Sequence, residues 1–334
     1  MTPDEAFMAE ALALGRSVRH ITSPNPWVGA VVVPDGDAPA YEGATQPAGG
    51  PHAEVVALDL AGADARGSTV YVTLEPCAHH GRTPPCADAL VEAGVRRVVV
   101  AVLDPDPRVA GRGVARLREA GTAVDVGTAA EQAEHDLAPY LKHRRTGRPW
   151  VVLKLATTLD GRTAAPDGTS RWITGAAARA DAHGLRAESD AVAVGAGTVR
   201  ADDPALTVRD APGRDPLRVV LGQLPPGARA APAIEHDGDL GELLDILGGR
   251  DVLQLLVEGG PHVAHSFHHA GLVDQYVFYV APALLGGDDG LPVLAGPGAA
   301  SMSQVWRGRI DEVRRLGDDV RIDVWATTEA PAPH

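Results

Sequence analysis

Apolar positions recur at helical spacing from the start of the chain. Phe7, Ala11, Leu14 and Val18 share one face of a segment over residues 3–19, with Thr2 as N-cap, Pro3 at the first helical position, and Asp4 and Glu5 in the first turn. A turn-rich stretch, TSPNPWVG, then leads into the apolar run Val28 to Val33, which predicts a strand turning at Asp35-Gly36-Asp37. Helical periodicity returns at Val55, Val56, Leu58 and Leu60 and closes at Gly62. Next come a strand TVYVTLE, a polar loop ending at Cys86, a second helix, the strand RRVVVAVL, a loop DPDPRVAGRG, a helix ending at Gly121, a short strand TAVDV, and an acidic amphipathic helix over about 129–143. Strands alternating with helices of about ten residues predict α/β layering on an at least partly parallel sheet.

The polar segment RRTGRP, residues 144–149, reads as a linker, dividing the chain into domains of residues 1–146 and 147–328. From Trp150 the pattern restarts with the strand WVVLKLATTLDGRTA, then SRWITG at 170–175 and a helix over about 176–188. A strand AVAVGAG runs into TVRADDPALTVR, and the strands LRVVL, VLQLLVE, VDQYVFYVAP, GRIDEVRRLG and VRIDVWAT complete the half. No repeat of the first half is visible, so the second domain is of a different kind. The tail EAPAPH, from residue 329, has a disordered composition.

Length supports the division, since 334 residues with 45% hydrophobic content can fill two cores. The net charge of −14 speaks against a nucleic-acid partner, because such binding draws on clustered Lys and Arg. There is no run of about 18 apolar residues, and MTPDEAFMAEAL lacks a basic n-region, so no membrane partner and a cytoplasmic location are expected. Two cysteines make no disulfide framework. A phosphorylated small molecule stays open as a partner and would need only a few local cations; the expected assembly is a homo-oligomer, dimer or tetramer.

The chemistry concentrates between His52 and Cys86. One imidazole and two thiols, His52, Cys77 and Cys86, make a three-ligand zinc set that leaves a fourth tetrahedral position for water, as catalytic zinc requires. Glu54 is then placed as general acid and base, because H-A-E followed by Pro-Cys is close to the signature H-x-E…P-C-x-x-C of zinc nucleobase deaminases. Here eight residues separate the cysteines instead of two. The bland alternative is a buried histidine with two inert core cysteines, but both cysteines of the chain fall in this one motif.

The run PCAHHGRTPPC resembles the pattern P-C-x-H-x-G-[RK]-T-P-P-C of the bifunctional riboflavin-biosynthesis deaminase/reductases, matched at Pro76, Cys77, His79, Gly81, Arg82, Thr83, Pro84, Pro85 and Cys86. PNPWVG is similar to that family's P-N-P-x-V-G. In the second half, Lys154, Ala156, Thr157, Asp160, Gly161 and Arg162 resemble the opening of its reductase half, and Gly195 to Arg209 matches G-x-G-T-x-x-x-D-D-P-x-L-T-x-R. The resemblance covers residues 4 to about 327. It implies a cytidine-deaminase-like three-layer α/β/α domain followed by a dihydrofolate-reductase-like α/β domain. The implied reactions are zinc-dependent deamination of 2,5-diamino-6-(5-phosphoribosylamino)pyrimidin-4(3H)-one, then NADPH-dependent reduction of the ribosyl group to ribityl.

By the same resemblance Asn25, Arg82, Ser170, Arg186, Leu206, Arg209 and Glu258 contact substrate. Ala156, Trp172, Thr198, Asp202 and the run Gly260, Pro261, His262, Val263, Ala264, His265 and Ser266 contact NADPH. Glycines opening a helix expose unpaired N–H groups that suit a dinucleotide phosphate, while the absence of G-x-G-x-x-G disfavours a Rossmann dehydrogenase. Two departures stand out. Thr45 occupies the place of a histidine common in the family, and Gly222-Gln223 stand where Asp-Ser is usual. Two alternatives remain: a nucleoside or tRNA deaminase fused to an unrelated reductase, and a non-catalytic nucleotide-binding protein whose zinc is completed by His79 or His80.

Overall fold

The computed structural model describes residues 1–36, 38–79, 84–209 and 211–327. Two compact units divide between Gly147 and Arg148.

The first unit runs α1 (Pro3–Ser17), α2 (Arg19–Thr22), β1 (Gly29–Val33), β2 (Tyr41–Ala44), α3 (Ala53–Ala61), β3 (Thr69–Leu74), α4 (Cys86–Glu92), β4 (Arg97–Val102), α5 (Arg112–Glu119), β5 (Ala123–Val126), α6 (Ala130–Asp136) and α7 (Ala138–Thr146). Its sheet has the order β2-β1-β3-β4-β5, with β1 antiparallel to both neighbours and β3, β4 and β5 parallel. Helices cover both faces. A Cβ on Gly29 would meet the Ala11 carbonyl of α1 at 1.8 Å, and one on Gly43 would meet the Ala53 carbonyl of α3 at 2.2 Å. Gly43 lies opposite Ala30, so it and Gly29 point to opposite faces of the pleat. The result is an α/β/α sandwich whose central strands β3 and β4 are almost wholly buried.

Three expectations need correction here. The buried stripe of α1 is Met8, Ala11, Leu12 and Gly15, while Phe7, Leu14 and Val18 are half-buried, because α1 meets the sheet through its small residues. The expected 129–143 helix is two helices interrupted at Leu137, where Pro139 opens α7 from its first turn. The first half of RRTGRP is helix: Arg144, Arg145 and Thr146 belong to α7, and Gly147, in the left-handed conformation, ends it.

The second unit comprises β6 (Trp150–Thr158), β7 (Arg162–Ala164), α8 (Ala176–Ala187), β8 (Ala191–Gly195), α9 (Ala196–Asp202), β9 (Leu217–Leu221), β10 (Ile234–His236), α10 (Leu240–Gly248), β11 (Gln254–Val257), α11 (Pro261–His269), β12 (Gln275–Ala281), β13 (Leu291–Pro292), β14 (Gly308–Leu316) and β15 (Asp319–Ala326). The eight-stranded sheet has the order β10-β9-β8-β11-β6-β12-β15-β14. Its first six strands are parallel, and the β14–β15 hairpin adds an antiparallel edge. Strands β8 and β11 are buried along their whole length, as unbroken apolar runs between two helical layers must be. Leu255 and Val257 face one core cluster and Leu256 the other. The strand expected over AVAVGAG stops at Gly195, and Ala196 begins α9, so the GAGT run opens a helix. Among the described residues no helix is long and apolar enough to cross a membrane.

Candidate functional site

In the first unit the zinc-type residues converge from three elements. His52 is the N-cap of α3, Cys77 follows the end of β3, and Cys86 is the first residue of α4. Their ligand atoms all lie within 4.8 Å of one another. His52 Nδ1 is 3.3 Å from Cys86 Sγ and 3.7 Å from Cys77 Sγ, and the Cys86 N–H donates to Cys77 Sγ at 3.3 Å. Cys77 is pushed well below the ordinary thiol range, first by its hydrogen bond with Cys86 and, burial opposing, by His52, whereas Cys86 is pushed up. One nitrogen and two sulfurs, one of the thiols already thiolate-like, are a donor set that fits Zn²⁺. Among the described residues no fourth His, Cys, Asp or Glu joins this cluster.

Glu54, in the first turn of α3, is 4% exposed, and burial foremost, with the Cys77 charge behind it, pushes its carboxyl up to about 7. A carboxyl poised near neutrality beside a metal site can take and return a proton at working pH. A cavity of about 330 Å³ opens here, lined by Asn25, His52, Glu54 and Cys77 together with Asp104, Arg108 and Arg144.

Sequence reasoning named Asn25, which does line this cavity, but missed Glu75, Asp104, Arg108 and Arg144, which line it too. Glu75, 3% exposed, accepts from the backbone N–H groups of Asp104 (3.3 Å), Gly111 (2.9 Å) and Val114 (3.1 Å), tying the loop after β4 to the strand end that carries Cys77. A Cβ on Gly113 would meet the Pro76 carbonyl at 1.9 Å, so this junction closes only around glycine. The available signal was DPDPRVAGRG itself, which follows the parallel strand next to β3, and ligands of open α/β sheets sit beyond the carboxyl ends of strands. Thr45 also borders the cavity, but its hydroxyl is spent on Val28, accepting from the N–H at 3.1 Å and donating to the carbonyl at 3.3 Å. Arg82 and His80 lie outside the described residues.

In the second unit the named residues gather at the carboxyl ends of the parallel strands. Arg186 of α8 grips Glu258, just past β11, through Nε at 2.9 Å and Nη2 at 3.0 Å, and donates from Nη1 to the Thr207 carbonyl at 2.7 Å. The pair is almost buried and holds the loop containing Leu206, itself 4% exposed. Arg209 is exposed, and so is Ser170. Trp172 is 70% exposed with the Arg179 guanidinium 4.5 Å from its ring centroid, and the neighbouring Arg171 bonds Asp202 at 2.9 Å. These contacts bring the 170–172 segment to the end of α9.

The Gly195 and Gly260 N-caps of α9 and α11 carry no side-chain cap, and a Cβ on Gly260 would stand 3.6 Å from Thr198 Oγ1. Two uncapped helix starts beyond adjacent parallel strands present N–H groups in the manner that suits a pyrophosphate, so the residues fit a dinucleotide. The fit stops within the first turn. Ala264 is fully buried with its N–H bonded to Gly260, His262 and His265 bond the Ala295 and Pro297 carbonyls, and Ser266 bonds the His262 carbonyl. Ala156 is half-buried on β6, beside Tyr279 of β12.

Comparison with known proteins agrees with both halves. Residues 1–102 match the cytidine and deoxycytidylate deaminase zinc-binding region, and residues 149–322 match the RibD C-terminal domain. The riboflavin biosynthesis protein RibD of Escherichia coli is 43% identical over 361 residues, covering 95% of this chain and 98% of its own. That of Mycobacterium tuberculosis is 45% identical over 337 residues, covering 97% of each. Among solved structures, Acinetobacter baumannii RibD superposes with a TM-score of 0.91 at 40% identity, over 97% of this chain and 99% of its own. The Thermotoga maritima diaminohydroxyphosphoribosylaminopyrimidine deaminase/5-amino-6-(5-phosphoribosylamino)uracil reductase does so at 0.86 and 34% identity, with the same coverage.

Proposed function

The chain belongs to the RibD family of bifunctional riboflavin-biosynthesis enzymes, a zinc-dependent deaminase joined to an NADPH-dependent reductase, and from that premise we propose how its own residues divide the work. The first unit, up to about residue 146, deaminates 2,5-diamino-6-(5-phosphoribosylamino)pyrimidin-4(3H)-one. The second, from about 147 to 328, reduces the ribosyl chain of the product to ribityl. The observation that carries this reading is the buried Glu54 beside the converged His52, Cys77 and Cys86, with Glu54, His52 and Cys77 lining one cavity.

In the deaminase, His52, Cys77 and Cys86 hold the zinc, which when bound brings the pKa of a water down to about 7. Glu54 would take one proton of the attacking water and deliver it to a ring nitrogen, then move the remaining hydroxyl proton to the amino group, which leaves as ammonia. Its burial serves both transfers, because a carboxyl held near neutrality is neither too weak a base nor too weak an acid. Asn25 orients the pyrimidine from the wall beside the zinc ligands, and Arg82 completes the substrate contacts.

In the reductase, NADPH supplies the hydride. Ala156, Trp172, Thr198, Asp202 and the helix start from Gly260 to Val263 position the cofactor, with the rest of the run to Ser266 supporting it from behind. Ser170, Leu206 and Arg209 meet the substrate. Arg186 acts through Glu258 and the Thr207 carbonyl, leaving the exposed Arg209 as the cation that takes the 5-phosphate. We place the enzyme in the cytoplasm and as a homo-oligomer, dimer or tetramer. Exposed Ile310 and Val313 on the edge strand β14 offer apolar surface to a second copy, which sedimentation of the full chain tests.

Incubation with the diaminopyrimidine, with and without NADPH, tests the whole reading by the mass of each product. Ammonia should be released in both cases, and the ribityl product should form only with NADPH. Release of no ammonia by a zinc-loaded chain overturns the deaminase half.

A further inference from the structure

We infer that Arg108 and Arg144 form the phosphate-binding end of the first unit's cavity and make that site select for a phosphomonoester. The inference rests on the deaminase reading above and deepens it. A substrate with a phosphoribosyl arm brings a near-dianion into a cavity whose lining already holds four carboxyl groups, Glu54, Glu75, Asp104 and Asp106. Three of them are bound by the protein. Glu75 accepts three backbone N–H groups, Asp104 takes the Tyr140 hydroxyl at 2.9 Å and the Asp106 N–H at 2.8 Å, and Asp106 is gripped by Arg108.

Among the described residues the guanidinium groups on this lining are Arg108 and Arg144. They flank one carboxylate. Asp106 Oδ2 is 2.7 Å from Arg108 Nη2 and 3.9 Å from Arg144 Nε. Asp106, 5% exposed and anchored through its Oδ1 to the Arg108 N–H, fixes the direction of Arg108. That leaves Arg108 Nη1 without a hydrogen-bond partner among the described residues, on a side chain 65% exposed at the rim. Arg144 is aimed by other means. Its guanidinium lies 5.1 Å from the Tyr140 ring centroid, and Nη2 is 3.5 Å from the Pro24 carbonyl, next to Asn25. Two pre-oriented planar forks suit the three terminal oxygens of a phosphomonoester better than mobile ammonium groups would. Thr45, buried and bonded to Val28, supplies no charge here.

The test uses the zinc-loaded full chain, Arg108→Ala, Arg144→Lys and their combination. Two substrates are compared, the phosphoribosylamino diaminopyrimidine and its dephosphorylated ribosylamino form. Each single variant should raise KM for the phosphorylated substrate about 10-fold or more, and leave kcat/KM for the dephosphorylated one within about twofold. Calorimetry with ribose 5-phosphate should show the combined variant losing one equivalent of binding. Equal losses on both substrates, or an unchanged ribose 5-phosphate isotherm, overturn the assignment. A wild-type chain that deaminates neither substrate yet loses that equivalent in the variant keeps the anion site and sinks the deaminase reading instead.

Discussion

The Arg186–Glu258 pair decides whether an arginine in the reductase unit serves the fold or the substrate directly. Its side chains are 11% and 13% exposed, and the guanidinium makes two bonds to the carboxylate and one to a carbonyl. Arg186→Met leaves Glu258 nearly buried without its partner. Removing one member of a buried pair costs about 3–5 kcal/mol, and the residual exposure favours the lower end, about 3 kcal/mol. For a unit of this size, each kcal/mol moves the midpoint by about 2–4 °C, so a fall of about 6–12 °C is expected. Four of the five tryptophans, Trp150, Trp172, Trp306 and Trp325, belong to this unit, so fluorescence-detected melting reports mainly on it. Arg186→Met combined with Glu258→Leu should lose less than the two single changes added together, by about 1–3 kcal/mol of coupling. An Arg186→Met chain that melts like wild type but binds substrate poorly would refute the strut and return Arg186 to the substrate.

Glu54→Gln should keep one zinc per chain, measured by metal analysis, while deamination falls by about 10² to 10⁴ fold, the usual worth of a general acid and base. Cys77→Ala should abolish deamination yet leave NADPH-dependent reduction of the deaminated substrate, because the two units have separate cores; loss of both activities in a folded chain would count against independent sites. Asp4, held down to about 2 by hydrogen bonds from Arg97 first and Tyr71 second, pins α1 to the sheet. Its folded pKa lies below the ordinary 3.8, so the stabilisation is present above about pH 4 and is lost as pH falls toward 2. With both partners about a third exposed, it amounts to about 1 kcal/mol. Asp4→Asn should therefore lower urea stability near neutrality, by a margin that shrinks between about pH 4 and pH 2.

What could be read from the sequence was whatever depends on local chemistry. The zinc set was legible because His52, Cys77 and Cys86 are reactive residue types at an informative spacing, and the strand runs were legible because buried parallel strands are continuous in Val, Ile and Leu. The stripe of α1 was misplaced because apolar periodicity does not say where small residues let backbones touch, and the contact at Gly29 moved the face toward Met8 and Gly15. Glu75, Asp104, Arg108 and Arg144 in the lining of the first cavity escaped notice for another reason. Glu75 joins residues 29 to 39 positions away through backbone N–H groups, which leave no side-chain pattern to find. Arg186 and Glu258 were both named, but 72 positions apart nothing in the sequence pairs them with each other.

An acidic chain that handles phosphorylated ligands poses an electrostatic question that the net charge of −14 states too coarsely. Several of its carboxylates are committed to protein partners. Asp319 takes the Gly175 N–H at 2.6 Å, Asp160 those of Leu285 and Gly286, and Asp181 and Asp323 close on Arg321. Charges on the remaining surface are screened beyond about 8 Å at physiological ionic strength. An anion entering either unit therefore meets mainly the nearest groups: Arg108 and Arg144 around Asp106 in the first, Arg209 and uncapped helix starts in the second. On the proposed reading local guanidinium groups would hold the phosphate, while the acidic remainder would disfavour polynucleotides, which need many cations along an extended surface. The same charge distribution accordingly favours a small phosphorylated pyrimidine over a tRNA as the deaminase substrate.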